Sequence, residues 1–244
     1  MPFLPKSPTR LMLFAVLVWA GGVAAAGAEP MRLTFEGLGQ TGTYPCVERI
    51  ASFYNGGLGV GVCSPTGHGP GPSWGVVFSD NALALVDADA GGNGNFGGEP
   101  SPNTVLFFNP TGPAIMNVAG GFSGSLTTYY SSPYEAGVLR VYAGTNGTGA
   151  LLGELFLRQT ALQGAPDPTG DFSPLVPAAL LFTGKARSAV FGGVPNGILF
   201  DDVTIDADLA APVPEPNMFL LLGAGLIAGR LRRKRMRPLD SGRS

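Results

Sequence analysis

The sequence predicts an all-β protein, an antiparallel β-sandwich of jelly-roll type. Three observations predict it. Glycine and proline number 38 and 22 in 244 residues, more than helices tolerate, because each weakens a helix interior. Apolar residues still make up 45% of the chain and aromatic residues 9%, so a core can form and the composition is not that of a disordered chain. Short apolar segments recur with turn signals between them, the pattern of many strands joined by tight turns.

The strand candidates, in order, are residues 31–35, 74–79, 82–86, 104–108, 114–118, 125–130, 137–142, 151–158, 179–182, 188–191 and 198–205. Several alternate with period two. Leu139 and Val141 take one face of their strand and Arg140 the other. Between residues 142 and 151 the pair Asn146 and Gly147 is a strong hairpin signal. Only residues 51–54 read as part of a helix. The predicted β-domain runs from 29 to 210, long enough for a single core.

The two ends read differently. Lys6 and Arg10 precede an apolar run over 11–23 and the small residues Ala24, Ala25, Ala26, Gly27 and Ala28. A charged segment, an apolar stretch and an A-x-A site make a signal peptide over residues 1–28. Cleavage after Ala26 or after Ala28 fits equally well. At the other end, Pro214, Glu215 and Pro216 lead into an apolar run over 218–229. A basic tail with Arg230, Arg232, Arg233, Lys234 and Arg235 follows. The positive-inside rule keeps that tail in the cytoplasm, so the domain lies outside, in agreement with the signal peptide. The fold is therefore expected to be flanked by a signal helix and a C-terminal transmembrane helix. Residues 218–229 fall short of the roughly 20 apolar residues that span a bilayer, which suggests a temporary anchor.

This tail, over residues 211–237, resembles the PEP-CTERM sorting signal in its proline–glutamate–proline triplet, apolar helix and basic cluster, in that order. The resemblance implies that an exosortase recognises and processes the chain in a Gram-negative bacterium that makes exopolysaccharide. The chain would then be exported through the inner membrane, held briefly there and passed to the cell surface or the exterior. The domain is also similar to ectodomains of PEP-CTERM proteins. The similar segments are Phe53-Tyr54-Asn55-Gly56-Gly57, 74–78, Leu139-Arg140-Val141-Tyr142 and Phe200-Asp201-Asp202-Val203. The last recurs near the end of lectin-like and carbohydrate-binding jelly rolls. Such modules often hold a structural calcium between their first and last strands, and the resemblance suggests Glu36 and Asp202 as its ligands.

Charge excludes one partner class. Residues 29–215 hold 16 acidic and 6 basic side chains, so the domain is acidic and nucleic acid is not its partner. The two cysteines, Cys46 and Cys63, are expected to pair in an exported chain. Closing that loop would stabilise the fold by roughly 3 kcal/mol. Two buried or free thiols are the alternative.

Catalytic groupings fail on inspection. The lone histidine, His68, lies in a Gly/Pro loop, a poor platform for a positioned base, and reads as a loop residue. Residues 121–125 break the G-x-S-x-G elbow at the last position. Residues 92–97 fit G-x-G-x-x-G, but Gly98, Glu99 and Pro100 follow where a helix would have to start. Zinc lacks ligands. Asp87 and Asp89 beside the Gly-rich loop do not complete an EF-hand. Tyr129, Tyr130, Tyr134 and Trp74 could stack on sugars, although core packing is the commoner use of each. The expectation is thus a noncatalytic surface or extracellular-matrix protein, with exopolysaccharide as the candidate partner of its domain. A secreted glycoside hydrolase using paired carboxylates among Asp87, Asp89, Glu99, Asp201 and Asp202 is the alternative, with a purely structural role as a third.

Overall fold

The computed structural model describes residues 30–41, 46–62, 66–164 and 170–207. The signal peptide, Cys63, the Pro214–Glu215–Pro216 triplet, the apolar run and the basic tail lie outside the described residues.

The described chain is all-β, with twelve antiparallel-paired strands and no helix. They are β1 (Pro30–Leu33), β2 (Glu48–Arg49), β3 (Val60–Gly61), β4 (Val76–Phe78), β5 (Ala82–Val86) and β6 (Thr104–Phe108). There follow β7 (Ala114–Ser131), β8 (Gly137–Tyr142), β9 (Leu151–Leu157), β10 (Val176–Leu181), β11 (Ala186–Gly192) and β12 (Leu199–Ala207). Strands β5, β6 and β8 coincide with the sequence expectation. The two expected strands at 114–118 and 125–130 are one strand, β7, and β2 and β3 were not foreseen, being two residues each. Residues 51–54 form hydrogen-bonded turns rather than a helix.

Strand β7 joins the two layers of the sandwich. Its first part pairs with β4 and β11, through Met116 opposite both Phe78 and Ala189. Its second part pairs with β10 and β12, through Thr127 opposite both Ala179 and Thr204. Between them lie Gly121 and Gly124, both at positive φ, the conformation in which glycine costs nothing. This lets a single strand turn from one layer into the other. Beyond β11 come β8 and β9; beyond β12 come β6, β5, β2 and β3, with β1 on β12 as well. Side chains from both layers meet in one core. Phe191 of β11 and Phe200 of β12 pack edge to face with ring centroids 5.1 Å apart, a favoured aromatic geometry. The β8–β9 hairpin turns on Asn146 and Gly147, both at positive φ, with the Thr148 amide donating to the Thr145 carbonyl, the geometry of a primed two-residue turn.

A second, smaller core sits on the other side of β5, β6 and β12. Phe96, Val105, Leu175 and Leu199 are buried there with Leu85, Phe107 and Phe172 against them. Phe96 and Phe172 come from loop segments that touch through a parallel bridge. These segments cover the face of the sheet, which explains the continuous apolar pattern of β5 and β6: both faces are covered.

Candidate functional site

Strand β12 carries a bulge at its acidic pair, and the bulge follows from the sequence. Phe200, Val203 and Ile205 are all in the main core. Strict alternation would put Phe200 on the face opposite Val203 and Ile205. One additional residue between Asp201 and Thr204, seen as a register shift against β7, restores all three to the core. Asp202 takes the strain at φ 53°, a region that aspartate enters more readily than bulky residues. At the same point β12 changes partner. Phe200 pairs with Leu106 of β6, and Val203 pairs with Leu33 of β1.

Both carboxylates are therefore buried, at 0% exposure for Asp201 and 4% for Asp202, but they are served unequally. Asp201 accepts the Ser101 hydroxyl at 2.9 Å, the Ser101 amide at 3.1 Å and the Asp202 amide at 2.7 Å. Burial pushes its carboxyl up to about 7, with the Asp202 charge adding to the rise and the Ser101 bonds opposing it. Asp202 accepts from the Arg32 guanidinium through Oδ2, while its buried Oδ1 has no hydrogen-bond partner. Glu36, three residues past β1, accepts the Thr104 amide at 2.9 Å. Its carboxyl is raised to about 7 by burial and then by the charges of Glu99 and Asp202, against the pull of the Thr104 bond. The structure thus brings Glu36, Glu99 and Asp202 into one electrostatic neighbourhood. Among the described residues no group of three His, Cys, Asp or Glu side chains is arranged to hold a metal ion.

A third buried carboxylate was not found by sequence reasoning. Glu48 of β2 is fully buried. It accepts the Gly39 amide at 2.8 Å, the His68 amide at 2.6 Å and contacts His68 Nδ1 at 2.7 Å. His68 is a loop residue, as expected, yet its ring and backbone fasten that loop to β2. A side chain on Gly59 would collide with the Glu48 carboxylate, so the close approach requires glycine. Glu48 and His68 are 20 residues apart, and no motif links them. Among the described residues there is no free cysteine; the Cys46–Cys63 bond remains an expectation, since Cys63 lies outside them.

A cavity of about 230 Å³ opens beside the small core. Leu85, Phe107, Phe172 and Leu199 supply apolar walls, and Asn93, Asn95 and Asn196 supply amides. Among the described residues no charged side chain lines it. Asn95 is held by Asp171, donating to its carboxylate at 2.8 Å and accepting its amide at 3.1 Å. The Tyr134 hydroxyl donates to the same carboxylate at 3.3 Å, and the Tyr134 ring meets Phe172 edge to face at 5.7 Å. The Gly-rich 92–97 segment is thus a loop that builds the cavity rim, with no helix after it.

The four aromatic candidates divide. Trp74 stacks on Tyr54 at 5.6 Å, and Tyr130 is buried with its hydroxyl donating to the Arg158 carbonyl, so both pack the core. Tyr129 and Tyr134 are 37% and 51% exposed. Core packing, expected for each, does not hold for these two, because their strand face and loop are uncovered. Asp87 is buried beside the loop and Asp89 is exposed; neither lines the cavity.

Residues 212–235 match the PEP-CTERM protein-sorting motif. No curated protein sequence matches the chain. Among solved structures the chain is similar to the K2 cleaved adhesin domain of Lys-gingipain, at 11% identity and TM-score 0.41, over 72% of this chain and 99% of that one. It is similar to the CsCBM6-3 module of Clostridium stercorarium, solved with cellobiose, at 19% identity and TM-score 0.29, over 46% and 80%. A third is a family 43 arabinoxylan arabinofuranohydrolase of Bacillus subtilis, at 16% identity and TM-score 0.35, over 54% and only 26%. These are partial likenesses of fold, and no property of those proteins is carried over to this chain.

Proposed function

We propose that this chain, which carries a PEP-CTERM sorting motif at residues 212–235, is an exported, noncatalytic surface protein whose β-domain contacts exopolysaccharide. The sorting motif carries the first half of this reading. An exosortase of a Gram-negative cell processes the tail after the apolar run and the Arg cluster have held it in the inner membrane. Cell fractionation with mass spectrometry of the mature termini tests it. The expected product begins near residue 27 or 29 and ends near Pro214–Pro216; a full-length membrane protein with an intact tail overturns it.

The cavity supports the second half. Amides with apolar and aromatic walls in a small concave site suit a neutral sugar, which needs both hydrogen bonds and flat apolar contact. Retention of the full chain on the producer's purified polysaccharide is the expected result, without release of reducing ends. No retention, with or without calcium, removes the glycan contact.

Calcium belongs to the same proposal, at Glu36 and Asp202. The orphaned Asp202 Oδ1 supports an oxygen-ligated hard cation, which takes 6–8 oxygen ligands in all, so further backbone or water oxygens would have to join the two carboxylates. Bound there, it would supply charge neutralisation and tie β1 to β12. Arg32 already satisfies Oδ2, leaving Oδ1 to the ion.

A further inference from the structure

We infer that the cavity beside β5, β6 and β12 is one end of a longer groove, which takes two or more consecutive units of a linear, uncharged polysaccharide; the inference rests on the glycan-contacting reading above. A second, more open depression of about 570 Å³ lies beside the first, and Val47 borders both. Strand register makes the two continuous. Leu83 of β5 lines the second depression and Phe107 of β6 lines the first, and these residues are direct cross-strand partners. Arg49 of β2 pairs with Leu83 in turn, so Arg49, Leu83 and Phe107 form one row on the same face of the sheet. Leu199 of β12 ends the row at the first cavity. The strands β2, β5, β6 and β12 are successive neighbours. Three spacings of roughly 4.8 Å make the row about 14 Å long, more than one sugar ring occupies.

The chemistry along the groove suits a chain of neutral sugars. The first cavity offers asparagine amides against apolar and aromatic walls. The second offers Arg49, Asp80, Asn81, Asn109 and Thr111, with Val47, Val62 and Leu83 supplying apolar surface. A sugar hydroxyl both donates and accepts, so it is matched by a lining that combines guanidinium donors, carboxylate acceptors and amides that do both. The Thr111 hydroxyl lies 2.5 Å from both Asn81 Oδ1 and Asn109 Oδ1, which holds these groups together before a ligand arrives. Arg49 lies 3.9 Å from Asp80. Their opposite charges offset each other, so a uniformly charged polymer gains no net attraction there. Position agrees as well. Strand β12 runs from Leu199 at the groove to Ala207, nine residues that rise about 26 Å at roughly 3.3 Å each. The chain continues from Ala207 to the sorting motif, and Pro30 pairs with Asp206 at that same end. The groove therefore lies at the opposite end of β12 from the tether.

The test uses the full chain in mild detergent and isothermal titration. The probes are fragments of the producer's polysaccharide made by partial acid hydrolysis and sorted by length and charge. The expected Kd falls tenfold or more from the neutral monosaccharide to the neutral tetrasaccharide. Arg49→Ala and Asp80→Ala, at exposed side chains of the second depression, are each expected to weaken tetrasaccharide binding about tenfold, as loss of hydrogen bonds to a charged group does. They should weaken monosaccharide binding less and leave the melting temperature in place. Equal Kd at all lengths, full tetrasaccharide affinity in both variants, or equal weakening at both lengths overturns the groove and leaves the glycan reading standing. So does failure of every fragment while the intact polysaccharide binds. Tighter binding of acidic than of neutral fragments of equal length overturns the uncharged assignment. Failure of every fragment together with failure of the intact polysaccharide overturns both readings.

Discussion

Glu48 and Asp202 are equally buried carboxylates with opposite surroundings. Each fastens a distant piece of chain, the His68 loop to β2 in one case and Arg32 of β1 to β12 in the other. Glu48 spends its oxygens on two backbone amides and the His68 ring. Asp202 has one oxygen on Arg32 and the other on nothing. Burial alone therefore does not mark a ligand site. Satisfaction does, since a buried carboxylate with all its needs met is a structural rivet, whereas one with an orphan oxygen has unspent binding energy.

The largest expected effect tests the rivet. Glu48→Ala should lower unfolding free energy by about 3 kcal/mol, because it strands the donors around it in the interior. Urea denaturation measures it, and any calcium-induced stabilisation should survive. A loss under 1 kcal/mol would break the contrast from the Glu48 side. Of similar size, reduction of the proposed Cys46–Cys63 bond should cost roughly 3 kcal/mol, read by denaturation with and without reductant. If both effects appear, the region around β2 is held twice, by covalent closure and by the Glu48 bonds to Gly39 and His68.

On the Asp202 side, calcium at about 100 times its Kd should stabilise the protein by roughly 2.7 kcal/mol. Asp202→Asn and Glu36→Gln should each abolish that gain in a melting experiment. A gain that persists in both variants would move calcium elsewhere.

The pH response of the calcium-free protein sharpens the same contrast. Glu36 and Asp201 sit at about 7, against 4.5 and 3.8 as ordinary values. Between those ordinary values and about 7 the native state holds more protons than the unfolded chain. Their contribution to stability is full below the ordinary values and is lost as pH rises through about 7. Melting temperatures from pH 4 to 8 should fall across that window, less so in Asp201→Asn. The smallest effect is expected for His68→Ala, about 1 kcal/mol, since Glu48 keeps its two amide donors when the ring is gone.

Much of the fold was legible in the chain because its signals are local. β5, β6 and β8 announce themselves by apolar content and turn flanks, and Asn146-Gly147 specifies its hairpin through backbone conformation. The union of 114–118 and 125–130 into β7 was not legible. The glycines between them read as a turn, yet they serve to carry one strand across two layers. β2 was not legible either, since two polar residues carry no periodicity. Of the candidate sites, Glu36 and Asp202 were reached only through the resemblance to jelly-roll modules, and the calcium they would share remains a proposal. Glu48 could not be reached from the sequence, because it gains its meaning from residues far away in the chain.

The sequence by itself determined the β class, the acidic domain and the sorting tail, since these rest on composition, short-range pattern and motif order. Only the tertiary structure decided which carboxylate is satisfied, which strand face is covered and where a cavity opens beside the small core. Those properties depend on which donors and apolar groups arrive from elsewhere, and a hydrogen bond is a matter of distance in space, not in sequence.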